Sequence, residues 1–293
     1  MDSPLRGLPD GDEHTDAIRS ASRRALVKLV DETIAAQAAF LIVAGDIWDG
    51  DWQDLRTGNF FIGQMRRLHE NDVDVFIVLG NHDLHGAWQE QLRHTVPDNV
   101  VIFASAAATS VKREYRGLKV AIHGQSYERA NQENNLAIGY PRRDAGVDFN
   151  VGILHTSLAG HSGGHDRYAP CALDDLRSRG YDYWALGHVH QRKTITEPGE
   201  PPIAYAGVLQ GRQFRESGAK GAYLVGCNFA SGRPDVSLAP LDVADVVWSE
   251  VEVDLAGLER KEEMSAAVEQ RLRSLANDNR SILCNVVRIA LRN

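Results

Sequence analysis

Four short segments of this chain carry the residue types that metal-assisted hydrolysis needs. They are IVAGDIWDG with Asp46, IVLGNHD with Asn81, His82 and Asp83, GILHTSL with His155, and ALGHVH with His188 and His190. In each, an apolar run ends in a cluster of Gly, Asp, Asn or His. Taken singly, each has an ordinary reading: Asp46 as a turn residue, Asn81 and Asp83 as an Asx-turn, His155 as a satisfied histidine at a strand end. Four such endings in one chain make the joint ordinary reading improbable. A carboxylate can bridge two cations while imidazoles and an amide oxygen fill further positions. The absence of a thiolate from these segments favours Mn, Fe or Zn over a cysteine-rich structural zinc site. Two cations about 3.5 to 4 Å apart suit hydrolysis of a phosphate ester, because they hold the phosphate and activate a water for in-line displacement.

The surrounding elements must bring these endings together. Apolar residues Ile18, Ala21, Ala25, Leu26, Leu29 and Ile34 recur at helical spacing and predict an amphipathic helix from Asp12 to about Gln37. The strand FLIVAGD follows, then a helix near Leu55 to Glu70 and a second strand, VDVFIVLGNHD. Helices alternating with continuous apolar strands indicate a sheet covered on both faces. Beyond Asn99 the chain turns to hairpins, with VKREY and LKVAIHG joined at Arg116 and Gly117, and further strands at FNVGILH, YDYWALGHVH, PIAYAGV, GAYLVGCN and DVVWSEVEV. The carboxyl ends of strands in such sheets converge on one crevice. A helix from about Leu255 to Ala276 and the strand SILCNVVRIALRN read as the start of a further unit, so the expected division is 1–245 and 246–293.

The 293 residues are 43% apolar and 25% charged, ordinary for a globular chain. Cys171, Cys227 and Cys284 form no C-x-x-C pair and fit a reducing compartment. The amino terminus lacks the basic and apolar regions of a signal peptide, and the longest apolar run, Ala38 to Ala44, is too short to span a bilayer. The expected location is therefore cytoplasmic, with no membrane partner. A net charge of −8 argues against a protein that coats nucleic acid, but an enzyme gripping one strand end needs only a local cationic patch. Arg192, Lys193 and Arg212 stand beside the expected site loops, and Arg192 and Arg212 are the candidates for phosphate contact.

GDIWDGD, GNHD, LHTSL and GHVH, in this order, resemble the calcineurin-like metallophosphoesterase superfamily, in particular its DNA repair exonuclease branch of SbcD-like and YhaO-like proteins. DSPLRGL, YAPC and QGRQFRE are similar to the second group. The resemblance implies a four-layer α/β/β/α sandwich with two mixed sheets, and a cofactor of two divalent cations, manganese foremost, with Mg, Fe or Zn as alternatives. It makes Asp46 the bridging ligand, with Asn81, His155 and His188 completing one cation site and His190 belonging to the other. His82 would protonate or stabilise the leaving oxygen, and Asp83 would orient its imidazole. The implied substrate is DNA and the implied partner an SMC-like ATPase subunit, with a homodimer as a further expectation. The alternatives are a small-molecule phosphodiesterase or phosphatase, and a scaffold without catalysis. One departure stands out: the D-x-H that ends the family's first strand is absent, since Met1 stands just after its expected place. Asp12, Glu13 and His14 read instead as a helix amino-terminal cap. The catalytic unit is thus expected to lack its first strand, with Met1 an internal methionine of a longer natural chain.

Overall fold

A computed structural model describes residues 13–48, 55–84, 95–161, 167–229, 232–278 and 282–292. Helix α1 (Glu13–Ala35) is held by Ala21, Ala25, Leu26, Leu29 and Val30, all buried on one stripe. Helix α2 (Leu55–His69) buries Phe61, Ile62, Met65 and Leu68, again at helical spacing. Both lie on one face of a three-stranded sheet, where Leu41, Val43, Val75 and Ile77 meet them in a single core. That sheet is β1 (Phe40–Val43), β2 (Asp74–Ile77) and β3 (Val100–Ile102), paired in that order and parallel throughout.

The opposite face, through Phe40, Ile42, Phe76 and Val78, packs on a second sheet. Its members are β4 (Thr109–Tyr115), β5 (Leu118–Gly124), β6 (Phe149–His155), β7 (Tyr183–Gly187), β8 (Lys193–Thr194) and β9 (Ile203–Tyr205), in the order β4-β5-β6-β7-β9-β8. Here β5, β6, β7 and β9 are parallel while β4 and β8 are antiparallel edges. The outer face buries Tyr140, Trp184 and Tyr205 under helix α3 (Leu173–Arg177) and a 3₁₀ turn at Ala137–Gly139. The expected α/β class and four layers are therefore present. Of the two sheets only the second is mixed; the first is all-parallel, because its strands are joined by crossovers rather than hairpins.

Two further pairs complete the described chain. β10 (Gly221–Asn228) and β11 (Asp235–Asp242) form an antiparallel hairpin, and β12 (Val246–Asp254) pairs in parallel with β13 (Cys284–Arg292) across helix α4 (Lys261–Asp278). Helix α4 starts later than the sequence predicts. Asp254 first accepts the N–H of Ala256, and Gly257 takes a positive φ of 77°, which inserts a turn after β12. Just before β12, Asp245 pairs with Arg24 and Lys28 of α1 and so ties the helix to this segment. No helix among the described residues is long and apolar enough to cross a membrane.

The outer edge of β1 meets no strand among the described residues. A cavity of about 920 Å³ runs along it, lined by α1, by β1 and by β10, and Asp46, His188 and His190 also line it.

Candidate metal centre

The candidate ligands stand at the carboxyl ends of four parallel strands. Asp46 follows β1, Asn81 follows β2, His155 is the last residue of β6, and His188 follows β7. The chain leaves β1 sharply: Gly45 has φ 94° and Asp46 φ 56°, the left-handed region that Gly enters freely and Asp tolerates. His188 holds φ 96°, a conformation costly for a residue with a Cβ and of the kind found where function fixes the backbone. Gly187 lets the two sheets touch, since a Cβ there would stand 1.8 Å from the Ala44 carbonyl oxygen.

These turns bring the side chains into one cluster. Asp46, His155 and His188 offer ligand atoms all within 4.8 Å of one another. His155 Nδ1 lies 2.8 Å from the Ala44 carbonyl and donates to it, which leaves Nε2 free to bind. That Nε2 stands 3.3 Å from Asp46 Oδ2 and 3.1 Å from Asn81 Oδ1. With its proton on Nδ1, His155 presents an Nε2 lone pair to the two oxygens, an arrangement that a cation among them stabilises. Their separation suits neighbouring ligands around an ion that binds nitrogen and oxygen at about 2.0 to 2.2 Å. The residues therefore fit a divalent cation, with Asp46, Asn81, His155 and His188 as its holders.

The electrostatics have the same sign. Burial opposes the Asp46 charge, but His155, then His82, outweigh it and hold the carboxyl well below the usual range. Burial also opposes a proton on His155, and the Asp46 carboxylate overcomes it, so the imidazole is raised above its ordinary value. Asp83 moves the other way, to about 6, driven by burial and by the neighbouring Asp46 charge. The Asp83 carboxylate accepts the backbone N–H groups of Asp46, Trp48 and Gly80 at 2.7, 3.1 and 2.8 Å. It thereby clamps the Asp46 and Asn81 loops together. His82 gives its backbone N–H to Asp46 Oδ1 at 3.1 Å and lines the same cavity as Asp46 and His190.

His190 has a partner that the sequence did not single out. Its Nδ1 lies 2.7 Å from Oε1 of Glu216, whose other oxygen takes the Arg212 N–H at 2.7 Å. Glu216 is buried; burial works against its charge, but His190 and the Arg212 N–H prevail and keep the carboxyl below its ordinary range. The pair directs His190 Nε2 away from Glu216, as a carboxylate behind a ligating histidine does. The only local signal was a glutamate at the end of QGRQFRE, 26 positions from its histidine, and pattern reading has no means of pairing the two. Tyr168 and Tyr127 stand edge-on to His188 and His155, with ring centres 5.6 and 5.3 Å apart.

The two candidate phosphate contacts separate. The Arg192 guanidinium pairs with Asp242 and donates to the carbonyls of Ala222 and Leu241, so it stitches the β10–β11 hairpin to the second sheet. The phosphate contact expected of Arg192 would have to share a guanidinium already engaged by these partners. Arg212 lines the cavity beside His82 and His190. Trp48 is buried against Phe61 and belongs to the core. Asp12 of the expected helix cap lies outside the described residues; α1 itself opens at Glu13.

This fold with this cluster is that of a metal-dependent phosphoesterase. The calcineurin-like phosphoesterase family profile matches residues 11–192, and the chain belongs to that family. It is 35% identical over 258 residues to a Bacillus subtilis protein described as the uncharacterised metallophosphoesterase YhaO, covering 87% of this chain and 61% of the relative. Two archaeal proteins described as DNA double-strand break repair protein Mre11 are more distant. That of Methanopyrus kandleri is 22% identical, over 64% of this chain and 44% of its own length, and that of Methanocaldococcus jannaschii 21%, over 71% and 54%. The chain thus spans less than two thirds of each of these relatives.

Proposed function

We propose that the chain hydrolyses phosphodiester bonds of nucleic acid, as a metal-dependent exonuclease acting on DNA. The observation that carries this reading is the convergence of Asp46, Asn81, His155 and His188 at the ends of four strands, with His190 lining the same cavity. The family supplies the hydrolytic chemistry, and the function named for the two archaeal relatives supports DNA over other esters.

When bound, two divalent cations supply Lewis acidity and an activated water. Asp46, Asn81, His155, His188 and His190 are the residues that would hold them. The chain's own groups do the remainder. Asp83 fixes the Asp46 loop through the N–H groups of Asp46 and Trp48 and ties it to the loop after β2 through that of Gly80, so the Asp46 carboxylate is placed before substrate arrives. His82, on the cavity wall beside Asp46, is the group placed to hand a proton to the leaving oxygen. Arg212 supplies a cation for a phosphate of the strand.

Manganese-dependent release of nucleotides from an end-labelled duplex tests the reading, with Asp46→Asn as the inactive control. Turnover of a chromogenic phosphodiester without release from DNA would instead point to a small-molecule substrate. DNA binding without any turnover would assign the chain to a scaffold.

A further inference from the structure

Glu216 sits in a loop, residues 210–218 between β9 and β10, that the β12–β13 pair holds at both ends and in the middle. At its start the Gln210 side chain accepts the Asp245 and Val246 N–H groups at 3.0 and 3.2 Å and donates to the Val246 carbonyl at 2.7 Å. The Trp248 indole donates to the Gly211 carbonyl at 2.8 Å, and at the loop's end the Gly218 N–H gives to the Trp248 carbonyl at 3.1 Å. Between these fastenings lies a 3₁₀ turn, Phe214–Glu216. Phe214 stands edge-on to Trp248, with ring centres 5.1 Å apart, and the Arg288 guanidinium lies 4.0 Å from the centre of the Phe214 ring. Arg288 faces Glu250 in the β12–β13 register and pairs with it, so β12 fixes the group that β13 lays on Phe214.

The turn links this contact to the metal centre. It is closed by the Glu216 N–H on the Gln213 carbonyl at 2.9 Å. With three residues per turn, side chains two apart diverge by about 120°. Phe214 thus meets β12 and β13 while Glu216 meets His190. Moving the ring rotates the turn and carries the carboxylate with it. The 2.7 Å bond from His190 Nδ1 to Glu216 tolerates a shift of about 1 Å before it is lost. We propose that Trp248, Phe214 and Arg288 are positioning residues for the metal centre: they set where Glu216 stands, and through Glu216 which nitrogen of His190 faces the cavity. The inference rests on the reading of His190 as a cation ligand. It makes the β12–β13 pair, which supplies none of the candidate ligands, a determinant of how His190 meets its ion.

The test uses the full chain with two readouts. In metal-free protein carrying ¹⁵N-histidine, the His190 Nδ1–H resonance, assigned by its loss in His190→Gln, reports the bond to Glu216. With metal, a manganese titration followed by electron paramagnetic resonance reports the weaker site. Phe214→Ala should abolish or shift the resonance and lower the affinity for the weaker manganese by about tenfold. Phe214→Tyr, which keeps the ring, should restore both. Arg288→Met is made on an exposed side chain and carries the test should Phe214→Ala not fold; it should act in the same direction by about two- to fivefold. In a Glu216→Gln background Phe214→Ala should cause no further loss of affinity, because the route is already cut. Leu68→Ala, in the buried face of α2, should lower the thermal midpoint and leave both readouts unmoved. A resonance absent from the parent, or unmoved in the Phe214 and Arg288 variants, would overturn the proposal. So would additive losses with Glu216→Gln, or an equal effect of Leu68→Ala. If the parent binds no second manganese, the reading of His190 as a ligand fails, and the metal-free resonance alone decides the positioning.

Discussion

Glu216 shows how much of this centre depends on a side chain that touches no cation. Its carboxylate fixes the Nδ1 side of His190 and so decides which nitrogen faces the cavity. Glu216→Gln keeps the shape but removes the charge that favours this tautomer. The expected result is a fall of about 10- to 100-fold in the affinity of the more weakly bound manganese. The tighter site, built on Asp46, Asn81, His155 and His188, should be retained, and a manganese titration followed by electron paramagnetic resonance separates the two. The clustering of Asp46, Asn81, His155 and His188 was legible in the sequence, because each ends an apolar strand in a polar cluster and parallel strands converge at their carboxyl ends. Glu216 was not legible, since only the path of the chain after β9 brings it back to His190. The partners of Asp83 and Arg192 were not legible for a related reason: the motif gives the residue type, while these partners include backbone amides and carbonyls that no motif encodes.

The elements hold these residues through a few close contacts. Helices α1 and α2 and strands β1, β2, β6 and β7 are each legible from apolar periodicity. The short edge strand β8 is not, because two residues carry no period. Where the two sheets touch at Gly187, a single methyl group has nowhere to go. Gly187→Ala is expected to destabilise the chain at the upper end of about 1 to 3 kcal/mol or more, read from urea denaturation, because the clash is with backbone at Ala44. Asp245 is the second fastening, a carboxylate only 6% exposed between Arg24 and Lys28. Burial opposes its charge, but the hydrogen bonds and charges of Lys28 and Arg24 prevail and lower it below the ordinary carboxyl value. A depressed acid stabilises the fold above its unfolded value and loses that contribution as pH falls through the folded one. Asp245→Asn should therefore cost about 1 to 3 kcal/mol near neutral pH. The gap between the variant and the parent should narrow as pH is lowered from about 5 toward 3.

At the scale of the molecule, the metal centre sits where separate cores meet. Asp46 and Asn81 come from strands backed by the helical core, while His155 and His188 come from the second sheet. A cation held by all four is a cross-link between the two sheets that exists only in the folded chain. Cation binding must then raise stability by mass action, by about 2.7 kcal/mol at 100 times the dissociation constant. For a chain of this size that is roughly 4 °C in the thermal midpoint. The midpoint should climb with the logarithm of manganese concentration and return on chelation, in the absence of any substrate. Asp46→Asn should flatten the dependence, since the one carboxylate of the cluster is lost while the sheets remain packed. A midpoint that rises equally in parent and variant would place the cation elsewhere on the surface, and the four strand ends would then have converged without a shared ion.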